Sequence, residues 1–513
     1  MRPANLLLIM SDQHSPHVLG CYGNAVVKSP TLDSLAAQGT RFLHSCCNTP
    51  ICVPSRASFA TGRYAHQIGA WDNASPYVGT EAPSWGHRLT AQGHTVTTIG
   101  KLHYRRVGDP SGFPDQRLPM HVLEGKGDLY GLLRADMPVR PHSRRQVLEA
   151  RAGESDYTRY DRSIAQAAAR WLREEAQEHS KPWCLFVSFV TPHFPLIAPR
   201  EYFSLHPSDS LPLPIQWSLD SWPRHPELEQ QRRQQALDQP FDEATIRNAI
   251  AAYYGLVSFM DAQVAVVLEA LDDAGLGDDT RIVYTSDHGE MLGEHGLWWK
   301  SSMYEASVSV PLILAGPDVP MGHAVNTNVS LLDCFPTIVE GVGAELTAED
   351  ADLSGSSLWQ MANETDQPRT VLSEYHAIFS PSGIFMLRNQ RYKYVHFVGY
   401  PPQLFDLERD PDECHDLADD PAHAAALAAC EQELRAIADP EAVDRRAKQA
   451  QRQRLDAAGG PEAVKADGVK IPFTPAPSVA VPADPISALR GIGAGEHLDE
   501  RLLADRQRDR ARE

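Results

Sequence analysis

The chain has 513 residues, 42% of them hydrophobic, with 47 lysines and arginines against 67 aspartates and glutamates, a formal net charge of −20. That length admits about three domains of ~150 residues, or one large α/β domain with a smaller companion. The composition excludes wholesale disorder and collagen-like sequence, and the acidic balance excludes a nucleic-acid binder resting on a basic face, while a local cationic pocket for a small anion stays compatible with it.

In chain order, Asn5–Met10 is an apolar run too short for a signal sequence. It leads straight into Ser11-Asp12-Gln13-His14 without a small-residue cleavage site, so it predicts a buried first strand of a cytoplasmic protein. No stretch reaches the ~18 consecutive apolar residues of a membrane span, and no membrane partner is expected. Pro30 opens a helix over Thr31–Gln38 that Gly39 closes. Further apolar runs at Thr95–Ile99, Trp183–Val190 and Arg281–Thr285 are continuous rather than alternating, as in strands of a mostly parallel sheet covered on both faces. Residues 200–240, rich in Pro, Ser and Gln, read as an irregular excursion. A long helix runs from Glu243 to Ala274, with apolar residues at 3–4 spacing and Gly275 as its stop.

From 376 the texture changes. Phe385–Arg388 and Tyr392–Phe397 read as antiparallel strands, followed by an Ala-rich helix from about 422. The domain reading is therefore 1–375 for an α/β domain, 376–440 for a smaller α+β subdomain, and 441–513 for a charged, Pro-rich tail that either lacks order or wraps a neighbouring subunit. A homo-oligomer is expected. The eight cysteines are scattered without CxxC spacing, which implies neither a disulfide framework nor a zinc knuckle.

Ligands of open α/β sheets gather at the carboxyl ends of strands. Each of the four runs ends in polar chemistry: Asp12 and Gln13; Lys101 and His103; His193; Asp287 and His288. One such ending is commonly a helix cap or a solvated loop. Four on one sheet exceed what capping needs. Asp12/Gln13 and Asp287/His288 together suit a divalent cation, the oxygens favouring Ca²⁺ or Mg²⁺ and the imidazole moving the preference toward Mn²⁺ or Zn²⁺. Arg56, Lys101, His103, His193 and Lys300 supply positive charge and protons to an anionic group that redistributes charge during reaction. His14, His66 and His295 are assigned to packing or turns.

The segment Cys52-Val53-Pro54-Ser55-Arg56, before a small-residue helix that stops near Gly62, resembles the signature of type I sulfatases of the alkaline phosphatase superfamily. The resemblance covers about the first 420 residues. Ser286–Lys300 together with Trp71-Asp72-Asn73 is most similar to the choline sulfatase and phosphonate monoester hydrolase branch. It implies a large mixed, mostly parallel sheet flanked by helices with a small C-terminal α+β subdomain. It also implies that Cys52 is oxidised to formylglycine by a transient encounter with a formylglycine-generating enzyme. The implied metal set is Asp12, Gln13, Cys52, Asp287 and His288 around one divalent cation, Ca²⁺ ahead of Mn²⁺ or Mg²⁺. The implied catalytic set is Cys52, Arg56, Lys101, His103, His193 and Lys300, with Asn73, Lys101, His193 and Lys300 on the substrate.

Gln13 is either a ligand or a hydrogen-bonder behind the ligands, and Asn73 either touches substrate or caps a turn. Many sulfatases carry paired aspartates after strand one and Asp-Asn at the later site; this chain has Asp12-Gln13 and Asp287-His288. Lys101 and His103 match the sulfatase pattern and favour a small-molecule sulfate ester, with phosphonate monoester or phosphodiester hydrolysis as the alternative. No aromatic choline-binding segment is evident between Tyr104 and Tyr160. A catalytically dead binding module is a third reading, against which the intact set of residues argues.

Overall fold

Leu6, Leu7, Leu8, Ile9 and Met10 are all fully buried, because both faces of their strand are covered. The structure, a computed structural model, describes residues 2–468 and 474–477. The main sheet is built from β1 (Asn5–Asp12), β2 (Gly39–Phe42), β3 (Val96–Lys101), β4 (Asp115–Met120), β5 (Cys184–Pro192), β6 (Thr280–Ser286), β7 (Leu312–Ala315) and β8 (His323–Val325). Their order across the sheet is β8-β2-β7-β6-β1-β5-β3-β4, and only β7 runs antiparallel to its neighbours. Leu8 pairs with Phe186 on one side and Val283 on the other, so β1 lies between β5 and β6. The four predicted strands are adjacent, and their carboxyl ends point the same way.

Of the flanking helices, α1 (Pro30–Ala37) precedes β2, α2 (Cys52–Thr61) starts at the cysteine, and α3 (Asp156–Glu174) packs on β5. Gly62 ends α2 at φ 65, where a side chain would be strained. The expected irregular stretch 200–240 contains α4 (Pro226–Gln234), opened by Pro226 and buried along Leu228, Gln231 and Arg232. Its charged and amide residues are good helix formers, and a short polar helix leaves little apolar periodicity to read. Helix α5 (Glu243–Asp273) contains an 18-residue window of mean hydropathy 1.5 that is 83% buried inside the protein, as a core helix.

A second sheet is an antiparallel meander of β9 (Val371–Tyr375), β10 (Ile384–Arg388), β11 (Tyr392–Phe397) and β12 (Gln403–Asp406), followed by α6 (Ala424–Ile437). The expected boundary at 375/376 thus falls at the end of this sheet's first strand. The described part of the expected tail contains α7 (Pro440–Ala457) and α8 (Pro461–Asp467). Val443, Ala447, Gln451 and Leu455 of α7, spaced by four, are buried against the chain's own surface, and this stripe explains the helix that charge content obscured. Residues 469–473 and 478–513 of that tail lie outside the described residues.

Candidate active site

The strand ends converge on the amino end of α2. Asp12 closes β1, Lys101 closes β3, His193 comes directly after β5, and Asp287-His288 come directly after β6. Ligand atoms of Asp12, Cys52, Asp287 and His288 lie within 4.8 Å of one another, all buried. Cys52 Sγ is 3.2 Å from His288 Nε2 and 3.9 Å from Asp12 Oδ1. His288 Nδ1 lies 3.0 Å from its neighbour's carbonyl, Gly289 O, which directs Nε2 into the cluster. Two carboxylates, an imidazole and residue 52 at this spacing are a donor set that fits a divalent cation.

Cations brace the carboxylates from behind. Arg56, 1% exposed, donates from Nε to Asp287 Oδ2 at 2.8 Å, from Nη1 to Lys101 O at 2.7 Å and Ser188 Oγ at 2.8 Å, and from Nη2 to Asp12 Oδ2 at 3.4 Å. Its fork is spent on protein acceptors, so this guanidinium fixes the two aspartates. Lys101 Nζ donates to Asp12 Oδ2. Burial opposes ionisation of Asp12, but Lys101, His193, Arg56 and His288 outweigh it and hold its carboxyl well below the ordinary value. Burial and Asp12 push the Cys52 thiol up; Lys300, Lys101 and His288 overcome them and leave it below its usual value.

Lys300 and Gln13 close the other side. Lys300 Nζ donates to Gln13 Oε1 and sits 2.8 Å from His193 Nε2. His193 Nδ1 lies 2.7 Å from Phe194 O, so its other nitrogen is the acceptor toward Lys300. Burial and then Lys300 hold His193 well below the usual imidazole value, consistent with that neutral tautomer. Asp161 of α3 accepts from the backbone of Val190 and Thr191 and from Thr191 Oγ1, fixing the turn before His193. Both ring nitrogens of His103 lack a hydrogen-bond partner among the described residues. Burial, Lys101 and Arg56 keep that imidazole well below its ordinary value.

Four non-glycine residues of the site adopt left-handed backbone: Gln13 (φ 66), His103 (φ 56), Trp299 (φ 72) and Ser301 (φ 83). Each such residue costs on the order of 1–3 kcal/mol, a strain that persists where function holds it.

A cavity of about 1170 Å³ is lined by Cys52, Asn73, Lys101, His103, His193 and Lys300, and Asp12, Asp287 and His288 are buried beside Cys52. Asn73 Oδ1 accepts the Val53 N–H at 3.2 Å, capping the first turn of α2. Its loop is anchored from α7, where Gln451 Nε2 donates to Asp72 Oδ2 at 2.8 Å and Arg454 Nη1 to Ala74 O at 2.6 Å. The outer wall includes Leu129, Tyr130 and Phe379 facing Ala458 and Val464 of the C-terminal segment. Charges in this wall are paired locally, Lys126 with Glu124 and Arg140 with Asp128.

Sequence reasoning missed this outer wall and also Ser188 and Glu290, although Ser188 stood within the run Trp183–Val190 and Glu290 within Ser286–Lys300. Of the histidines assigned to packing, His14 lies between Tyr284 Oη and Val18 O, His66 pairs with Glu374, and His295 stacks on Tyr304.

Comparison with known proteins agrees with this geometry. The family model described as "Sulfatase" matches residues 4–344, and that described as "N-sulphoglucosamine sulphohydrolase, C-terminal" matches 293–439. Choline-sulfatase of Rhizobium meliloti is 33% identical over 476 residues, covering 88% of this chain and 90% of that protein. Human arylsulfatase K is 30% identical over 439 residues, covering 81% and 78% respectively. The structure of a phosphonate monoester hydrolase of Agrobacterium radiobacter superposes with a TM-score of 0.67 at 25% identity, over 85% of this chain and 95% of that one. With a family model spanning most of the α/β domain and relatives aligned over most of both lengths, the chain belongs to the sulfatase family of sulfuric ester hydrolases.

Proposed function

We propose that the protein hydrolyses the sulfate monoester of a compact alcohol or phenol, using a formylglycine made from Cys52 and one divalent cation, Ca²⁺ ahead of Mn²⁺ or Mg²⁺. The observation that carries this reading is Cys52 at the first position of α2, lining the cavity and in one 4.8 Å cluster with the buried Asp12, Asp287 and His288. Asp12, Asp287, His288 and residue 52 would hold the cation, with the Gln13 amide oxygen beside them. When present, the hydrated aldehyde supplies the attacking oxygen, and the cation supplies the charge that favours its ionised form and polarises the sulfate.

The chain's own groups account for the rest. Arg56 keeps Asp12 and Asp287 in place. The amino end of α2 and the Lys101 ammonium receive sulfate oxygens as negative charge grows on them. Lys300 holds the proton for the departing oxygen, and His193 Nε2, accepting from the same ammonium, orients it. His103, whose ring nitrogens have no protein partner among the described residues, is the base for the step that releases sulfate. The outer wall, where Leu129, Tyr130, Phe379, Ala458 and Val464 stand beside the Lys126–Glu124 and Arg140–Asp128 pairs, suits an uncharged leaving group. The same reading takes the protein as a cytoplasmic homo-oligomer that meets a formylglycine-generating enzyme once.

Hydrolysis of phosphonate monoesters is a second reading, favoured by the TM-score of 0.67 to a phosphonate monoester hydrolase. Lys101 and His103 weigh for sulfate. Mass spectrometry of the Cys52 peptide, from cells containing the modifying enzyme, should show the aldehyde. A chelated sample should lose turnover and regain it with Ca²⁺ or Mn²⁺. The ratio of kcat/KM for an aryl sulfate to that for an aryl phosphonate monoester should exceed one; the reverse ratio selects the second reading, and an unmodified Cys52 in active enzyme overturns both.

A further inference from the structure

Glu290 is buried, 2% exposed, directly behind the site, and the reaction scheme leaves it without a task. Its Oε1 accepts the backbone N–H groups of Leu292 and Trp299, each at 2.7 Å, and its Oε2 accepts from Gln13 Nε2. One carboxylate therefore joins two parts of the site: the residue after Asp12, and the residue before Lys300.

Donor and acceptor types fix the consequence. An amide presents an oxygen on one side and an NH₂ on the other, and its neighbours decide which faces where. An ionised carboxylate only accepts, so Gln13 must turn its NH₂ toward Glu290, which leaves Oε1 on the side of the site. The Gln13 backbone cannot compensate by moving, because its N–H donates to Asp287 Oδ1 at 3.1 Å and its carbonyl accepts from Tyr253 Oη at 2.5 Å. The outward Oε1 then receives Lys300 Nζ, whose other contact is His193 Nε2. Glu290 acts on Lys300 a second time, through the Trp299 N–H of the strained turn that carries it.

We propose that Glu290 is a positioning residue: it locks the Gln13 amide oxygen toward Lys300 and the cation site, and so sets the Lys300 ammonium against His193 for proton delivery to the leaving group. The proposal rests on the roles given to Lys300 and the cation above, and it assigns Glu290 no contact with substrate.

The test is a donor–acceptor exchange. In Glu290→Gln the new amide uses its oxygen on the Leu292 and Trp299 N–H groups and points its own NH₂ at that of Gln13. Gln13 turns over, and its NH₂ confronts Lys300. In the double variant Gln13→Glu/Glu290→Gln the NH₂ at 290 donates to the new carboxylate, whose second oxygen again accepts from Lys300.

Partners behind metal ligands are worth roughly 10–100-fold, so Glu290→Gln should lose roughly that factor in kcat with KM within about twofold of wild type, and a similar factor in Ca²⁺ affinity measured by calorimetry on the metal-free protein. The double variant should recover most of both. A folded Glu290→Gln protein with wild-type turnover and Ca²⁺ affinity overturns the proposal, as does a double variant no better than the single. If wild type bound Ca²⁺ yet hydrolysed no sulfate ester, the functional reading would fall, while the calorimetric loss and its rescue would still decide the role of Glu290.

Discussion

Two buried ion clusters in this protein have the same composition: two carboxylates, one arginine and one lysine. The first is Asp12, Asp287, Arg56 and Lys101, next to Cys52. In the second, Lys393 of β11 bridges Glu305 at 3.0 Å and Glu413 at 2.7 Å, while Arg388 of β10, in register with Lys393, approaches Glu305 at 3.6 Å and His44 at 3.0 Å. Glu413 also accepts the Glu305 backbone N–H, and Ser309 Oγ donates to Glu305, so the second cluster bolts the small sheet to the loop beyond β6. Of the eight residues in the two clusters only Lys101 lines the large cavity, and only Glu413 (φ 52) has left-handed backbone. Burial and shifted ionisation are shared features, so they do not identify an active site by themselves. The distinguishing features are a cysteine at the start of α2, an imidazole, His103, whose ring nitrogens have no partner among the described residues, and the cavity beside them.

Substitutions can break or sharpen this contrast. The largest effect belongs to Cys52→Ala, which should abolish ester hydrolysis, a fall on the order of 10⁶-fold for loss of a nucleophile, with the thermal midpoint unchanged. The two buried lysines come next. Lys300→Met should cost about 10²–10³ in kcat, as for loss of one donor to developing charge, with little change in stability. Lys393→Met should leave the buried Glu413 without its cation and Glu305 with Arg388 alone, and cost about 3–5 kcal/mol in chemical unfolding, with unchanged kcat/KM for the fraction that folds. If Lys393→Met cut kcat in folded protein, the division between the clusters would collapse.

A smaller effect is expected at the outer wall. Ala458→Trp narrows it, and should reduce kcat/KM for a bulky aryl sulfate roughly 10-fold relative to the smallest substrate.

The smallest concerns a third buried group, Glu374 with His66. Burial opposes its charge, but His66 and His376 hold the Glu374 carboxyl below its ordinary value of 4.5; burial lowers His66, but Glu374 lifts it above 6.5. The Glu374 contribution is complete above its ordinary value and is lost as pH falls through the lowered one. That of His66 is complete below 6.5 and is lost as pH rises through the raised one. Urea midpoints of the wild type should therefore decline as pH rises above 6.5, and those of Glu374→Gln should decline less.

Much of the site was legible because its residues come directly after apolar runs. A parallel strand buried on both faces is a continuous hydrophobic word, and the residues next in the chain sit at the carboxyl edge of the sheet. Asp12, Lys101, His193 and Asp287 were found that way, and Cys52 through its neighbours Pro54 and Arg56. The outer wall was not legible, since residues 122–146 carry no period and α7 reads as solvated charge until its four-residue stripe is noticed. Glu290 was hidden for a different reason: a glutamate in a loop carries no sign of which N–H groups will surround it. Asn73, read as touching substrate or capping a turn, accepts the Val53 N–H in the first turn of α2 and also lines the cavity.

Every residue of α2 is buried, from Cys52 to Thr61. On the reading proposed above, an enzyme that oxidises Cys52 would find no exposed stretch around it in the finished fold. The strand that completes the cluster, β6, is made roughly 230 residues later, and at ~5–20 residues per second the nascent chain offers position 52 for roughly 10–50 s. On that reading the order of strands along the chain would act as a timer, and conditions that speed closure relative to oxidation would yield a well-folded protein that is permanently idle.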